Sequence, residues 1–224
     1  SRELGRVFAG FRDDPSLRVA VFTGAGDRFF SAGWDLGAAA AGEDFEADYG
    51  EGGFGGFCEL PGRHKPVICA VNGMAVGGGF EIAMAAEFVV AADHARFFLP
   101  ETGLGIIPDA GVIRLPRMLP PVVANEVLYG GRRLDASEAE RWGLVNKVVP
   151  AADLEEAAME LAEKASDLKP KTETVSATLL DLQIQRWIWQ IQRWIGQIQR
   201  WKWQIRRCIW QIQRRICGIR RRIC

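Results

Sequence analysis

Apolar positions in the first part of the chain follow two spacings, one typical of helices and one typical of buried strands. They recur every three or four residues from Arg2 to Phe11, and Asp13-Asp14-Pro15 ends this pattern, which predicts a helix. Two continuous apolar runs, Val19 to Thr23 and Pro66 to Val71, each precede a glycine-containing turn. Short runs of this kind predict buried strands.

Strands and helices continue to alternate as far as residue 169. The pattern predicts, in chain order, a helix at Phe80–Ala86, strands at FVVAA and RFFLPE, a loop at ETGLGIIPDAG, helices around Val122–Tyr129 and Ala136–Trp142, a strand at NKVV and a helix that begins near Asp153. The segments FFSAGWDL (29–36) and NGMAVGGGFE (72–81) are predicted to be turns after strands, and GEDFEADYGEGGFGGF a mobile, acidic loop. This alternation predicts one α/β domain over residues 1–169.

The pattern changes at Gln183, where six seven-residue units follow one another, beginning QIQRWIW and ending GIRRRIC. Isoleucine recurs at alternating steps of four and three, the spacing of a coiled-coil seam, which would favour trimers or tetramers. A basic amphipathic helix on a membrane surface is a second interpretation. The units differ by changes such as Trp to Arg, Trp to Cys and Gln to Arg, which single-base codon changes produce. We therefore favour a translated tandem DNA repeat without a selected function for residues 183–224, joined through a linker at 170–182.

Charge divides the chain at the same place. The formal net charge is zero, with 28 Lys and Arg against 28 Asp and Glu. Residues 182–224 contain ten Arg, one Lys and no acid, a charge of +11, which leaves 17 basic side chains against 28 acids in residues 1–181. The body of the chain therefore carries a charge of −11, and no nucleic acid partner is expected for it.

The cysteines and histidines predict neither a disulfide framework nor a metal site. Their spacings match no zinc pattern (Cys58, Cys69, Cys208, Cys217, Cys224, His64 and His94). Free thiols are typical of a reducing compartment. No signal peptide and no apolar run of membrane-spanning length is recognised, so a cytoplasmic location without a membrane span is expected.

Two carboxylates stand next to glycine-rich segments. Glu81 follows Gly77 to Gly79 inside an apolar helical pattern, and Glu101 follows Pro100 at the end of a predicted strand. Burying a carboxylate is costly unless its pKa rises or a partner fixes it. Glycines let backbone N–H groups approach a ligand, and two such donors from separate loops form an oxyanion hole, although close packing explains such turns about as often. Two carboxylates beside such a hole can hold a water and transfer protons.

Three segments together resemble the crotonase (enoyl-CoA hydratase/isomerase) superfamily: FFSAGWDL, KPVICAVNGMAVGGGFEIAMAAEF and FFLPETGLGIIPDAGVIRLP. The resemblance runs from about residue 2 to residue 169. Within the superfamily, FFSAGWDL and the acidic loop that follows it most resemble the carnitinyl-CoA dehydratases. The resemblance implies a spiral of ββα units, assembled as a homotrimer or hexamer. It implies an acyl-CoA thioester as substrate, with coenzyme A as part of that substrate and no metal or redox cofactor.

The resemblance also implies roles for individual residues. The backbone N–H groups of Ala32 and Gly78 would form the oxyanion hole that holds the thioester carbonyl, and Glu81 and Glu101 would place a water and shuttle protons. The further residues expected to contact the substrate are Gly33, Trp34, Asp35 and Gly77. Trp34 and Phe57 are candidates to line an acyl pocket, although core packing is the more frequent role of an aromatic side chain.

Because the family's isomerases often keep only one of the two acids, the presence of both favours hydration and dehydration. An enoyl-CoA isomerase and a catalytically inactive interaction module are the alternatives. The family's first strand would precede Ser1, so a segment is expected to be missing there. Its carboxy-terminal helices are replaced by the repeat from about residue 183.

Overall fold

The structure, a computed structural model, describes residues 1–35, 37, 42 and 48–167. The chain divides into two units, Ser1–Pro170 and Lys171–Cys224, and the second lies outside the described residues. The predicted linker and the seven-residue repeats lie outside them too, as do residues 43–47 of the predicted acidic loop.

The first unit is an α/β fold with short elements. Its strands are β1 (Ala20–Thr23), β2 (Phe29–Ser31), β3 (Val67–Val71), β4 (Met74–Val76), β5 (Phe88–Ala92), β6 (Arg96–Phe98), β7 (Leu134–Asp135) and β8 (Lys147–Val149). Its helices are α1 (Arg2–Asp13), α2 (Gly78–Ala85), α3 (Gly111–Met118), α4 (Pro121–Leu128), α5 (Ala136–Arg141) and α6 (Leu154–Asp167). Within the described part of the chain, no helix combines the length and apolarity needed to cross a membrane.

The strands form two four-stranded sheets that the chain visits in turn. The first sheet has the order β1-β3-β5-β8 and is parallel throughout. The second has the order β2-β4-β6-β7, in which β2, β4 and β6 are parallel and β7 is antiparallel to β6. Each of the steps β1 to β2, β3 to β4 and β5 to β6 leads from the first sheet to the second. The predicted spiral of strand pairs and helices is confirmed by this topology.

The sequence pattern misses most of the second sheet. Phe29–Ser31 and Met74–Val76 are strands, whereas the segments FFSAGWDL and NGMAVGGGFE were predicted to be turns. Three residues are too few to show an alternating pattern, and these strands exist because each pairs with a neighbour that is remote in sequence. Helix α3 was not predicted from the hydrophobic pattern either, and it contains Pro116.

Strand β3 separates two hydrophobic cores. Its residues are all buried, as expected for a central parallel strand with both faces covered. Val67, Cys69 and Val71 face the larger core, which also contains side chains from α1, α2 and β6. Ile68 and Ala70 face a smaller core that is closed by α6. This division follows from the period of two along a strand.

Candidate active site

The predicted site residues gather at one edge of the second sheet. Since β2, β4 and β6 are parallel, their carboxyl ends meet at the same edge, which is where open α/β sheets place ligands. Ala32 follows β2, Gly77 follows β4 and Glu101 follows β6 after two residues. Residues 24 to 69 positions apart in sequence are thereby brought to one place.

The loops after β2 and β4 touch each other through glycines. Gly33 has a φ of +82°, and a Cβ added there would lie 3.0 Å from the backbone nitrogen of Gly78. Gly77 has φ 55° and ψ −124°, a conformation that residues with a side chain rarely adopt. Its N–H donates to the carbonyl of Phe98 at 3.0 Å, which fixes the end of β4 against β6. A side chain at Gly33 would separate the two loops, and a side chain at Gly77 would clash with the carboxyl of Glu101.

Helix α2 begins at this contact. Gly78 is its first residue, so the Gly78 N–H has no acceptor within the helix and lies at the positive end of the helix dipole. The ring of Phe54 lies against Gly78, since a Cβ added at Gly78 would be 2.3 Å from Phe54 Cε1. Phe54 therefore covers one side of the helix start.

Glu81 lies in the first turn of α2 and is 7 % exposed, and among the described residues no other charged side chain is buried to this degree. Its Oε1 accepts a hydrogen bond from the backbone N–H of Gly111 at 2.7 Å. Gly111 is the first residue of α3, so the carboxylate of Glu81 faces the positive end of a second helix. The side chain is held at a defined position between two helix starts.

Burial raises the pKa of Glu81 to about 7, because removing the carboxylate from water disfavours its charged form. The negative charges of Glu101 and Asp109 raise it further. The backbone N–H groups of Gly111 and Ala110 act in the opposite direction, since they stabilise the charged form. Near neutral pH, both the protonated and the ionised form of Glu81 are therefore populated.

Glu101 begins a 3-10 turn, Glu101–Leu104, which is separated from the end of β6 by two residues. Its carboxyl lies beside the turn after β4, because a Cβ added at Gly77 would be 2.6 Å from Glu101 Oε1. Oε2 is buried and has no hydrogen-bond partner in the structure, which is rare for a buried carboxyl oxygen. Burial raises the pKa of Glu101 as well.

The two carboxyls can act as an acid and base pair. Burial favours the protonated form of both groups, and the negative charge of Glu101 raises the pKa of Glu81 further, so one carboxyl can donate a proton while the other accepts one. Metal-assisted chemistry has no candidate ligand set among the described residues, where no three His, Cys, Asp or Glu side chains are grouped to hold an ion.

The raised pKa of Glu81 predicts a pH-dependent stability. Between pH 4.5 and about 7 the folded chain holds a proton on Glu81 that the unfolded chain has lost, so the free energy of unfolding falls as pH rises through this window. In Glu81→Gln this contribution is absent. Relative to Glu81→Gln, the wild type should lose up to about 3 kcal/mol of stability between pH 4 and pH 8. Urea unfolding of both proteins across this range measures the difference.

The matched control for this experiment is Glu156→Gln, which removes an exposed acid from the first turn of α6. Its stability curve should run parallel to that of the wild type. If the Glu81→Gln curve is parallel as well, the carboxyl of Glu81 titrates in the folded protein as it does in the unfolded chain, and the argument from burial is wrong.

The predicted substrate-contacting residues take up two positions. Gly33, Trp34 and Asp35 line a cleft of about 730 Å³ that opens beside the edge of the sheet. Gly77 lies instead against the carboxyl of Glu101. Phe57, the other aromatic candidate for the acyl pocket, is fully buried and packs in the core, with its ring centroid 4.6 Å from that of Phe8.

Sequence reasoning missed two residues of the site. Gly111 holds Glu81 through its backbone N–H, and Phe54 covers Gly78. Neither has a local signal, because the partners are 30 and 24 positions away in the chain. Asp109 also carries a charge that acts on Glu81.

Comparison with known proteins identifies relatives over most of the described fold. A sequence model of the family described as enoyl-CoA hydratase/isomerase matches residues 1–182. The chain is 57 % identical over 171 residues to a carnitinyl-CoA dehydratase of Proteus mirabilis (strain HI4320) and 58 % identical over 171 residues to one of Escherichia coli (strain K12). In both cases, the match covers 76 % of this chain and 66 % of the relative.

A solved structure agrees with the sequence comparisons. The structure of a carnitinyl-CoA dehydratase from Mycobacterium avium 104 superposes with a TM-score of 0.69 at 42 % identity. The superposition covers 75 % of this chain and 66 % of the other. The matched part thus spans just under two thirds of the length of these relatives.

Proposed function

This chain belongs to the enoyl-CoA hydratase/isomerase family, and on that basis we propose that it adds water to the double bond of an enoyl-CoA thioester or removes water in the reverse reaction. The observation that carries the proposal is the pair Glu81 and Glu101, two carboxyls with raised pKa values at the sheet edge where the Gly78 N–H begins a helix.

The proposed reaction begins with two backbone N–H groups that bind the substrate. The N–H groups of Ala32 and Gly78 hold the thioester carbonyl oxygen and stabilise the negative charge that it gains when the substrate becomes an enolate. The contact between Gly33 and Gly78 supports this assignment, because it brings the two loops to one point. Such donors stabilise the transition state more than the ground state, so they raise the rate.

The two carboxyls then move the protons. In hydration, the ionised carboxyl accepts a proton from water as the water oxygen bonds to the β carbon. The protonated carboxyl gives its proton to the α carbon, so one water is added in total and the pair again holds one proton. Dehydration is the reverse. The buried, unpartnered Oε2 of Glu101 supports this role, because a water or a substrate would supply the missing hydrogen bond.

The substrate that we propose is a short acyl-CoA with a carnitinyl or crotonobetainyl acyl group, since relatives at 57 % and 58 % identity are named carnitinyl-CoA dehydratases. The cytoplasmic location and the homotrimeric or hexameric assembly that the resemblance implies remain predictions.

A steady-state assay of the full chain tests the proposal. We expect the chain to hydrate crotonobetainyl-CoA and, more slowly, crotonyl-CoA. Loss of the conjugated double bond and mass analysis of the product measure this hydration. A 3-enoyl-CoA that is converted to its 2-enoyl isomer without hydration would favour the isomerase alternative. Absence of turnover with all three thioesters would favour an inactive interaction module.

A further inference from the structure

The cleft that opens beside Gly33 has an unusual combination of side chains. Three of its lining residues are aromatic, Trp34, Tyr49 and Phe54. Tyr49 and Phe54 meet edge to face, with ring centroids 5.5 Å apart. The carboxylates of Asp35 and Asp48 also line this cleft, as do Glu3 and Arg2. An aromatic wall with acids around it is suited to a ligand that is apolar and positively charged at once.

The aromatic wall begins where the thioester carbonyl is proposed to lie. The Phe54 ring contacts Gly78, and Gly33, which contacts the Gly78 nitrogen, lines the cleft itself. Ile82, one position after Glu81, also lines the cleft. A short acyl chain that is held at Gly78 and reacts beside Glu81 can therefore extend its far end towards Tyr49 and Phe54.

The charges around the cleft favour a cation over an anion. Arg2 is engaged with Asp48: its guanidinium donates to the Asp48 carbonyl at 2.9 Å and lies 4.0 Å from the carboxylate. One positive charge is thus offset, and Glu3 and Asp35 add two negative charges to the lining. A quaternary ammonium has no N–H to satisfy, so it needs only aromatic rings and nearby negative charge.

From this geometry, we propose that the cleft lined by Trp34, Tyr49 and Phe54 binds the quaternary ammonium group at the end of the acyl chain, with Glu3 and Asp35 supplying the net negative charge. The proposal rests on the proposed function, because it assumes that an acyl-CoA reacts beside Glu81. It assigns these residues to selection of the acyl group and leaves the chemistry to the carboxyls.

Two substrates of the same shape test the role of charge. One is crotonobetainyl-CoA, and the other is the thioester in which a carbon replaces the ammonium nitrogen, so that a tert-butyl group stands in its place. The wild type should prefer the cation in kcat/KM by about tenfold. Tyr49→Leu and Trp34→Leu should each lower this preference by about fivefold, mainly through loss for the cationic substrate.

Matched variants separate the contribution of the aromatic ring from other effects of each substitution. Tyr49→Phe and Trp34→Phe keep an aromatic face and should keep most of the preference, whereas Tyr129→Leu, which changes an exposed tyrosine on another surface, should leave it unchanged. Equal kcat/KM for the two thioesters in the wild type would overturn the proposal. Equal losses for both substrates in Tyr49→Leu and Trp34→Leu would do so too.

Failure of the proposed function gives a different result. If neither thioester is turned over, competition of the two thioesters for binding still measures the preference. If the cationic thioester binds more tightly than the neutral one, and if this preference decreases in Tyr49→Leu, the result supports a cation site in the cleft even without catalysis. Equal binding of the two rejects it.

Discussion

Glu81→Gln and Glu101→Gln are each expected to lower kcat for hydration of crotonobetainyl-CoA by about 100-fold or more, the usual contribution of a positioned acid or base. Glutamine keeps the shape of either side chain but can neither release nor accept the proton. Binding of the thioester should change little, because the backbone donors and the cleft remain. Steady-state kinetics and a direct measurement of thioester binding give the two quantities separately.

The pH profile distinguishes a lost proton carrier from a disturbed fold. In the wild type, the limb of the kcat/KM profile near pH 7 should report the pair that contains Glu81. Glu81→Gln should lose that limb as well as the rate, whereas Glu101→Gln should lose the rate and keep a limb displaced to lower pH, because the charge of Glu101 raises the pKa of Glu81. Glu156→Gln, on the exposed face of α6, is the control and should keep both. Near-normal turnover in Glu81→Gln or Glu101→Gln would falsify the assignment of that residue.

Several parts of the fold were predictable because one physical cause dominates them. Strands β3 and β5 are buried on both faces, so almost every residue is apolar and the run is visible in the sequence. Helix α1 has one buried stripe, which includes Phe8 and Phe11, so its spacing is visible as well. By contrast, β2 and β4 depend on neighbours in the second sheet and leave no pattern of their own.

The candidate site, like the fold, has features that could be predicted from the sequence and features that could not. The resemblance to the crotonase superfamily is confirmed by the match over residues 1–182. It rested on glycines, some of which are required by the backbone conformation, and on the two acids beside them. The contacts that set the properties of those acids were not predictable. The Gly111 N–H reaches Glu81 only because α3 begins beside α2, and Phe54 lies against Gly78 although the two are 24 positions apart in sequence.

The second large effect is expected at the proposed oxyanion hole. Gly78→Pro removes the backbone N–H that would hold the thioester carbonyl, and losing one such donor costs about 100- to 1,000-fold in kcat. Proline is well tolerated at the first position of a helix, which is where Gly78 lies. Gly78→Ala would be the natural control, because alanine keeps the N–H. The structure rules out that simple comparison, since the new Cβ would lie 2.3 Å from the ring of Phe54.

The comparison becomes informative when the ring of Phe54 is removed from both the Gly78→Ala and the Gly78→Pro variant. In a Phe54→Ala background, the three ring atoms nearest to the Cβ of Gly78→Ala or Gly78→Pro are absent, and the two double variants differ chiefly in the N–H. Crotonyl-CoA is the appropriate substrate, because it has no ammonium group to be affected by the loss of Phe54. We expect Phe54→Ala with Gly78→Ala to keep most of the kcat of Phe54→Ala alone, and Phe54→Ala with Gly78→Pro to lose about 100-fold or more. If the two double variants are equally impaired while both bind the thioester, the sensitivity of position 78 is steric, and the donor to the carbonyl must be sought elsewhere.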